Sequence, residues 1–570
     1  NRFNGSGILV NDSFGVTEEC NYLGTNKMGN ASLPNTIGTI IQDGTATVLN
    51  QNVISGNNSD GVRISGSEGV SSVFLKGNYI GVDSIGSYAV ANQQNGIFVE
   101  KATAVSIGAA SSVWGNIISG NIKNGVEIQQ TDTVTLKNNY IGLDKSGEYA
   151  VANHQSGVHL FSGVINAYLE GNAISGNDDG GLTASEGNDL NGYRNYLGTN
   201  AVGTIAVPNG QYGVHVQNFN RAWFNDNVIS GNNGDGGFLK DNEEVFFAYN
   251  TVGLSKFFDQ PLPNMGTGLK LQSNKYVHMD SNTVSANLQD GIYISEGTGL
   301  MVVGNFIGVN NVYQSFGNGG HGILISNYQN VLFPVGWIYS PNAIMDNQGP
   351  GIFLQNNLYA TIDGALVIGN KGGGILAVDG ANVGNLEIIN GHIADNLLAG
   401  IWLQGNHADV KIEDNEIGVD VGGYIFWTNV SGNVGPGIRI TNEHNVSATH
   451  NKIAGNKTGI LLEKSKNITI ENNEIGKYVP NDKAGISVFN SQSVNVVYNK
   501  ISINGQDGID VDLLSVDVAM TSNSIYDNGG IGIDLQMDGV SVNDPGDGDG
   551  GANHRLNYPN IITADQTGNL

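Results

Sequence analysis

The chain has 570 residues, with 25 basic side chains against 52 acidic ones and a formal net charge of −27. A surface of that sign repels phosphate backbones and anionic headgroups, which argues against nucleic acid and lipid partners and suits a protein kept soluble outside the cell. The 39% hydrophobic residues can build a large core, the lone Cys20 excludes an internal disulfide framework, and no apolar run reaches the roughly 18 residues a membrane-crossing helix needs.

The first residues, Asn1 to Val10 (NRFNGSGILV), already read like the middle of a repeat, so the chain is taken as a piece of something longer. From there one phrase recurs: Asn, any residue, an aliphatic, then Gly or Ser. It begins at Asn21, Asn52, Asn78, Asn116, Asn139 and Asn172, continues at Asn195, Asn227, Asn250, Asn282 and Asn305, and returns at Asn415, Asn451, Asn473, Asn499 and Asn523, with Ala in the last place at Asn451 and Tyr at Asn523. From Asn116 to Asn305 the steps run 23, 33, 23, 32, 23, 32 and 23 residues, so two kinds of rung alternate. The short kind is Asn227 to Gly236 (NVISGNNGDG); the long kind carries an insert, as in Asn139 to Gly157. After each turn comes a second phrase, Gly-aliphatic-x-aliphatic, as in Gly61-Val-Arg-Ile64 and Gly400-Ile-Trp-Leu403. Period-2 alternation over so few residues marks short strands. A rung of this size with about three strands cannot bury its apolar face alone and must stack on copies of itself.

These features resemble the bacterial secreted and surface right-handed parallel β-helix repeat proteins, relatives of the pectate-lyase-like fold. The NYIG-x-D-x-x-G inserts and the closing Asn543 to Ala564 segment (NDPGDGDGGANHRLNYPNIITA) carry the likeness to large surface-anchored members. The expected fold is all-β: a single-stranded right-handed parallel β-helix, a solenoid of about twenty rungs on the order of 100 Å long. It should occupy residues 1–542, with an irregular middle at about 310–415, and 543–570 should form an acidic Gly/Asp-rich closing segment leading to a further module. The fold hosts lyases, hydrolases, epimerases, adhesins and phage spikes, so activity has to be argued from the site.

Equivalent positions of stacked rungs line up about 4.8 Å apart, so sequence columns become physical stripes. The Asn of each N-x-I phrase is expected to form an internal ladder, and the repeated Asp-Gly to be turn chemistry. The x of Gly-aliphatic-x-aliphatic points outward; from Leu239 to Leu461 this column is mostly apolar and aromatic, with Tyr293, Phe353 and Trp402 as its rings. Such a stripe must be covered, by a loop of the same chain, a protein partner or a sugar chain; rings spaced by whole rungs suit sugars. The inserts, at roughly 82–95, 143–156, 199–212, 254–267 and 309–321, should stack into a ridge at one corner, with Asp83, Asp144, Asn200 and Asn310 as turn caps or, less simply, a calcium ladder.

No motif fixes a reaction. Asp510 and Asp534, with Asp512 nearby, are the best pair for a hydrolase, which needs carboxylates meeting across adjacent rungs. His392, His407, Asp409 and Lys411 are the fallback catalytic group, because acid, base and aromatic (Trp402) come close together there. Asp544, Asp547 and Asp549, three carboxylates spaced by Gly and Pro, could hold Ca²⁺. The reading is of an extracellular surface or appendage segment that binds polysaccharide or other surface proteins without inserting in a membrane, and that binds and does not cut; a polysaccharide-active lyase, hydrolase or epimerase is the alternative.

Overall fold

Three short strands per turn and a repeated apolar alternation produce the architecture found in the computed structural model, which describes residues 4–334, 341–378, 384–418, 431–477, 479–540 and 552. The fold is a right-handed parallel β-helix. A representative rung runs Val126–Gln129, Thr133–Lys137 and Tyr140–Ile141, and the next runs Val158–Phe161, Asn166–Glu170 and Ala173–Ile174. The two pair in parallel strand by strand: Val126 with Val158, Val134 with Ala167, Ile141 with Ile174. On the first two strands of each rung the alternate residues Val126, Ile128, Val134 and Leu136 are buried, and their neighbours face out. Among the described residues the only helix is the single turn Ser112–Trp114, and no helix is long and apolar enough to cross a membrane.

By compactness the chain divides into two units, Asn1–Asn357 and Leu358–Leu570. Both contain three-strand rungs, including those between residues 310 and 415, such as Ile323–Ser326, Gln329–Phe333 and Ala343–Met345 in the first unit.

The N-x-I asparagines form an internal ladder. Each Oδ1 accepts from the backbone N–H and the Nδ2 of the asparagine one rung earlier, from Asn21→Asn52 (2.9 and 3.0 Å) through Asn305→Asn342 (both 3.1 Å) in the first unit. In the second unit the series runs from Asn415→Asn451 to Asn499→Asn523. A second ladder, not anticipated, alternates in the first unit the Asn of S-G-N (Asn57, Asn121) with the Asn that ends an insert's A-V-A-N (Asn92, Asn153), and in the second unit runs through Asn396, Asn433, Asn456 and Asn481. Each amide thus satisfies turn backbone that would otherwise be buried unpaired. The repeated Asp residues go further than turn chemistry: Asp235 Oδ1 accepts the N–H of Thr267, and Asp290 that of His321, one rung on (both 2.7 Å).

Each insert is a small hairpin closed by one antiparallel bridge, such as Val82–Ala89 or Leu143–Ala150. A further hairpin, closed at Thr25–Ser32, precedes those expected. Asp144 Oδ1 accepts the N–H groups of Glu148 and Tyr149 (both 3.2 Å), and Asn200 those of Thr204 (2.8 Å) and Ile205 (3.2 Å), so these residues are turn caps. Gly147 shows why glycine follows: its φ is +72°, and a Cβ there would lie 2.5 Å from the Cβ of Ala201 in the next insert.

Candidate functional site

The outward column of the first strands can be followed rung by rung. In the first unit it passes Arg63, Phe98, Glu127, His159, Thr183 and His215, then Phe238, Lys270, Tyr293, Leu324 and Phe353. One position corrects the sequence reading: Leu239 is fully buried in the core and Phe238 faces out. Gly237 holds the aliphatic place there, so the phrase is in register only if that glycine counts as an inward residue.

Tyr293 and Phe353 are half-buried, and part of what covers each ring is a cation or a histidine of the same face. His215 stacks on Phe238 at 5.2 Å and 6°. The Lys270 ammonium then lies between Phe238 and Tyr293, 5.1 and 5.9 Å from their centroids. His321 stacks on Phe353 at 5.2 Å, its Nδ1 held 2.7 Å from Asp290. Near the start of the column Arg63 lies over Phe98 and donates to Asp60 (2.6 Å). Burial pulls the His159 and His215 imidazoles below their ordinary range, against the nearby acids Glu127 and Asp179, so near neutral pH the neutral form is favoured.

In the second unit the column passes Leu376, Trp402, Arg439, Leu461, Ser487, Asp510 and Asp534. The Arg439 guanidinium sits 4.4 Å over the half-buried Trp402 ring and donates to Glu463 at 2.8 Å. Below Arg439 a groove of about 910 Å³ opens along the column. Lys457, Lys464 and Lys483 contribute to its walls, together with Leu461 and Phe489, and Asp507, Asp510 and Asp534 lie at its acidic end. Asp510 Oδ1 is buried and has no hydrogen-bond partner among the described residues. Burial, then the Asp507 carboxyl and Asp534 one rung on, push Asp510 up to about 7, against a weak hydrogen bond from Ser487 (3.4 Å). Asp507 accepts the N–H of Ile531 (2.6 Å) and Asp534 that of Gly539 (3.1 Å). The structure therefore sets a carboxyl that holds its proton near neutrality beside two that accept backbone N–H groups.

The fallback residues are spread over different columns. His407 is fully buried with Glu443, its Nδ1 2.7 Å from Oε1, in a corner column that Ser465 and Ser491 continue by accepting N–H bonds. His392 lies on a third strand, 3.6 Å from Glu416, which is held below the usual carboxylate range by His392 and Lys452. Lys411 faces out from a second strand and pairs with Glu413 at 2.5 Å, and Asp409 is exposed just before that strand. Asp544, Asp547 and Asp549 lie outside the described residues. Among the described residues no group of three or more His, Cys, Asp or Glu is arranged to hold a metal ion.

A helix of stacked parallel rungs with an elaborated outward column defines a class, and comparison with known families agrees with it. The model of the right handed beta helix region matches residues 191–331, 264–417, 380–475 and 426–544, more than half of the chain, and the chain belongs to that family. Among solved structures the chain is similar to the A-module of a mannuronan C-5 epimerase of Azotobacter vinelandii, at 14% identity and a TM-score of 0.20, covering 82% of this chain and 89% of that one. It is similar also to a periplasmic alginate epimerase (10% identity, TM-score 0.24, 78% and 77% covered) and to a surface adhesin of Streptococcus pneumoniae (13%, 0.24, 78% and 85%). At these scores the likenesses carry no argument about activity.

Proposed function

We propose that the protein is an extracellular, cell-surface β-helix with an adhesive role, which holds a polysaccharide along the outward column of its first strands. The observation that carries this reading is Lys270 between the Phe238 and Tyr293 rings. Ring faces stack on the apolar faces of sugars, and a cation placed between two of them meets a carboxylate or sulfate of the same glycan. Arg439 on Trp402 gives the second unit the same pairing of cation and ring. On a chain of net charge −27 such cations mark where an anionic glycan can approach. The test is a glycan array followed by titration of the best ligand. Tyr293→Ala and Lys270→Gln should each weaken binding about tenfold, a loss of about 1.4 kcal/mol; equal affinity for both variants and the wild type would remove the reading.

A second reading rests on Asp510. A carboxyl protonated near pH 7, next to carboxyls on its own turn and the next rung, is the arrangement for general acid catalysis of glycosidic cleavage, with Asp534 as partner. If the groove cuts, Asp510→Asn abolishes release of new reducing ends, and the wild-type rate falls as pH rises through about 7.

A further inference from the structure

The six insert hairpins build a surface that the polysaccharide reading does not use. Each hairpin donates to the one before it: Ser84 N–H to Gly29 O, Lys145 to Gly86, Ala201 to Gly147 and Lys256 to Gly203, at 2.8–3.0 Å, and Asn310 Nδ2 reaches Phe258 O at 3.0 Å. This backbone chain fixes the hairpins as one rigid ridge on the first unit, with a crest on every second rung, about 10 Å apart. Beneath it lie Tyr79, Tyr140 and Tyr196, with Lys145 over the Tyr79 ring and Lys256 over the Tyr196 ring.

The crests are apolar. At the same hairpin position stand Met28, Ile85, Val202, Phe257 and Val312, and only the third hairpin breaks the series, with Ser146. A parallel line on the flank carries Tyr88, Tyr149 and Ile205. All eight are 57–72% exposed. A run of aligned apolar side chains this long, held on a preformed backbone, marks a contact surface.

We propose that this ridge is the contact by which two copies of the chain associate side by side, antiparallel, about a twofold axis. Three features favour a second copy. First, eight side chains at this exposure, each with on the order of 150–200 Å² to give, offer about 800–900 Å² per copy, the share of one partner in a standard interface. Second, the exposed charges of the hairpins nearly cancel, Lys27, Lys145 and Lys256 against Glu148 and Asp259, whereas the whole chain carries −27. Two such acidic chains repel least along a near-neutral line. Third, the crests repeat at a pitch of two rungs, and another copy of the same ridge presents crests at that same pitch, as an isologous contact requires. Four of the five apolar crests, Met28, Ile85, Val202 and Val312, are flexible or branched aliphatic side chains that suit protein packing, whereas sugar stacking would call for ring faces along the whole crest line.

The test is sedimentation velocity of the whole chain over about a hundredfold range of concentration. The wild type should show a monomer–dimer equilibrium. Val202→Glu and Phe257→Glu should each raise the dimer dissociation constant at least tenfold, and Val312→Lys on a separate hairpin should do the same. Ile503→Glu, an exposed apolar site in the second unit, should leave the dimer intact. Far-UV circular dichroism identifies any variant that fails to fold. A wild type that stays monomeric throughout would overturn the proposal, as would a dimer indifferent to the ridge variants. Ridge variants that lose glycan binding while self-association is unchanged would overturn it too, and would assign the ridge to sugar.

Discussion

Replacing Asn227 with Leu removes one link of a ladder whose bonds are all on view. Its Oδ1 accepts the Asn195 N–H (2.9 Å) and Asn195 Nδ2 (3.0 Å), and its Nδ2 donates to Asn250 Oδ1 (2.9 Å) and to the carbonyl of Gly192 (3.0 Å). A leucine of similar size leaves two buried donors of Asn195 without an acceptor and takes one donor each from Asn250 and Gly192. Two lost buried donors at ~1–3 kcal/mol each, partly relieved by relaxation, give a cost of roughly 3 kcal/mol. In a stacked repeat that cost is felt locally, as easier opening of neighbouring rungs. Hydrogen exchange read by peptide is therefore the assay: protection of the segment around Asn195 should drop about a hundredfold, since each 1.4 kcal/mol is a factor of ten. Asn233→Leu, an exposed asparagine on the same rung, is the control and should change protection little. If Asn227→Leu behaves like Asn233→Leu, the ladder carries no weight and the reasoning is wrong.

Asp510 and Glu18 are both raised to about 7, chiefly by burial, from ordinary values of 3.8 and 4.5. The folded state therefore binds more protons than the unfolded one between about pH 4 and pH 7, and stability from these groups is present below that window and lost as pH rises through it. In thermal unfolding, Asp510→Asn and Glu18→Gln should each be more stable than the wild type at pH 8, and the gain should shrink toward pH 4. For the acidic closing segment, the proposal of calcium binding through Asp544, Asp547 and Asp549 predicts a calorimetric Ca²⁺ signal that Asp547→Ala diminishes; identical traces would end it.

The fold was legible because its determinants are local and repeated. The alternating Asn steps of 23 and 32–33 residues encode the rung, and the Asn ladder is that spacing made into hydrogen bonds. The second ladder was only half present in S-G-N, at Asn57 and Asn121; its alternate members, Asn92 and Asn153, end the A-V-A-N of the inserts, so no single phrase displays it. The insert at Thr25–Ser32 was equally legible, since its phrase NYLGTN (Asn21 to Asn26) repeats at Asn195 to Asn200 and Met28-Gly29 matches Ile85-Gly86, but it was overlooked. Site chemistry was less legible. His407 and Glu443 are 36 residues apart and meet only because a corner column joins their rungs, so the histidine looked available when it is fully buried. Lys457 and Lys483 reach the groove from turns, outside the Gly-aliphatic-x-aliphatic phrase by which the column was read. Asp510 and Asp534 could be paired from sequence, whereas the upward push on Asp510 depends on burial that no spacing reveals.

The central claim is that the outward column binds polysaccharide and does not cleave it. The most direct measurement is titration of the best array ligand into the wild type and into Trp402→Ala, with the same samples assayed afterwards for new reducing ends and for unsaturated uronic products. The account predicts saturable binding that Trp402→Ala weakens about tenfold, because removing the ring also releases Arg439 from its place 4.4 Å above it, and no new ends in either sample. Ends released by the wild type and abolished by Asp510→Asn would contradict it and establish the groove as a catalytic site.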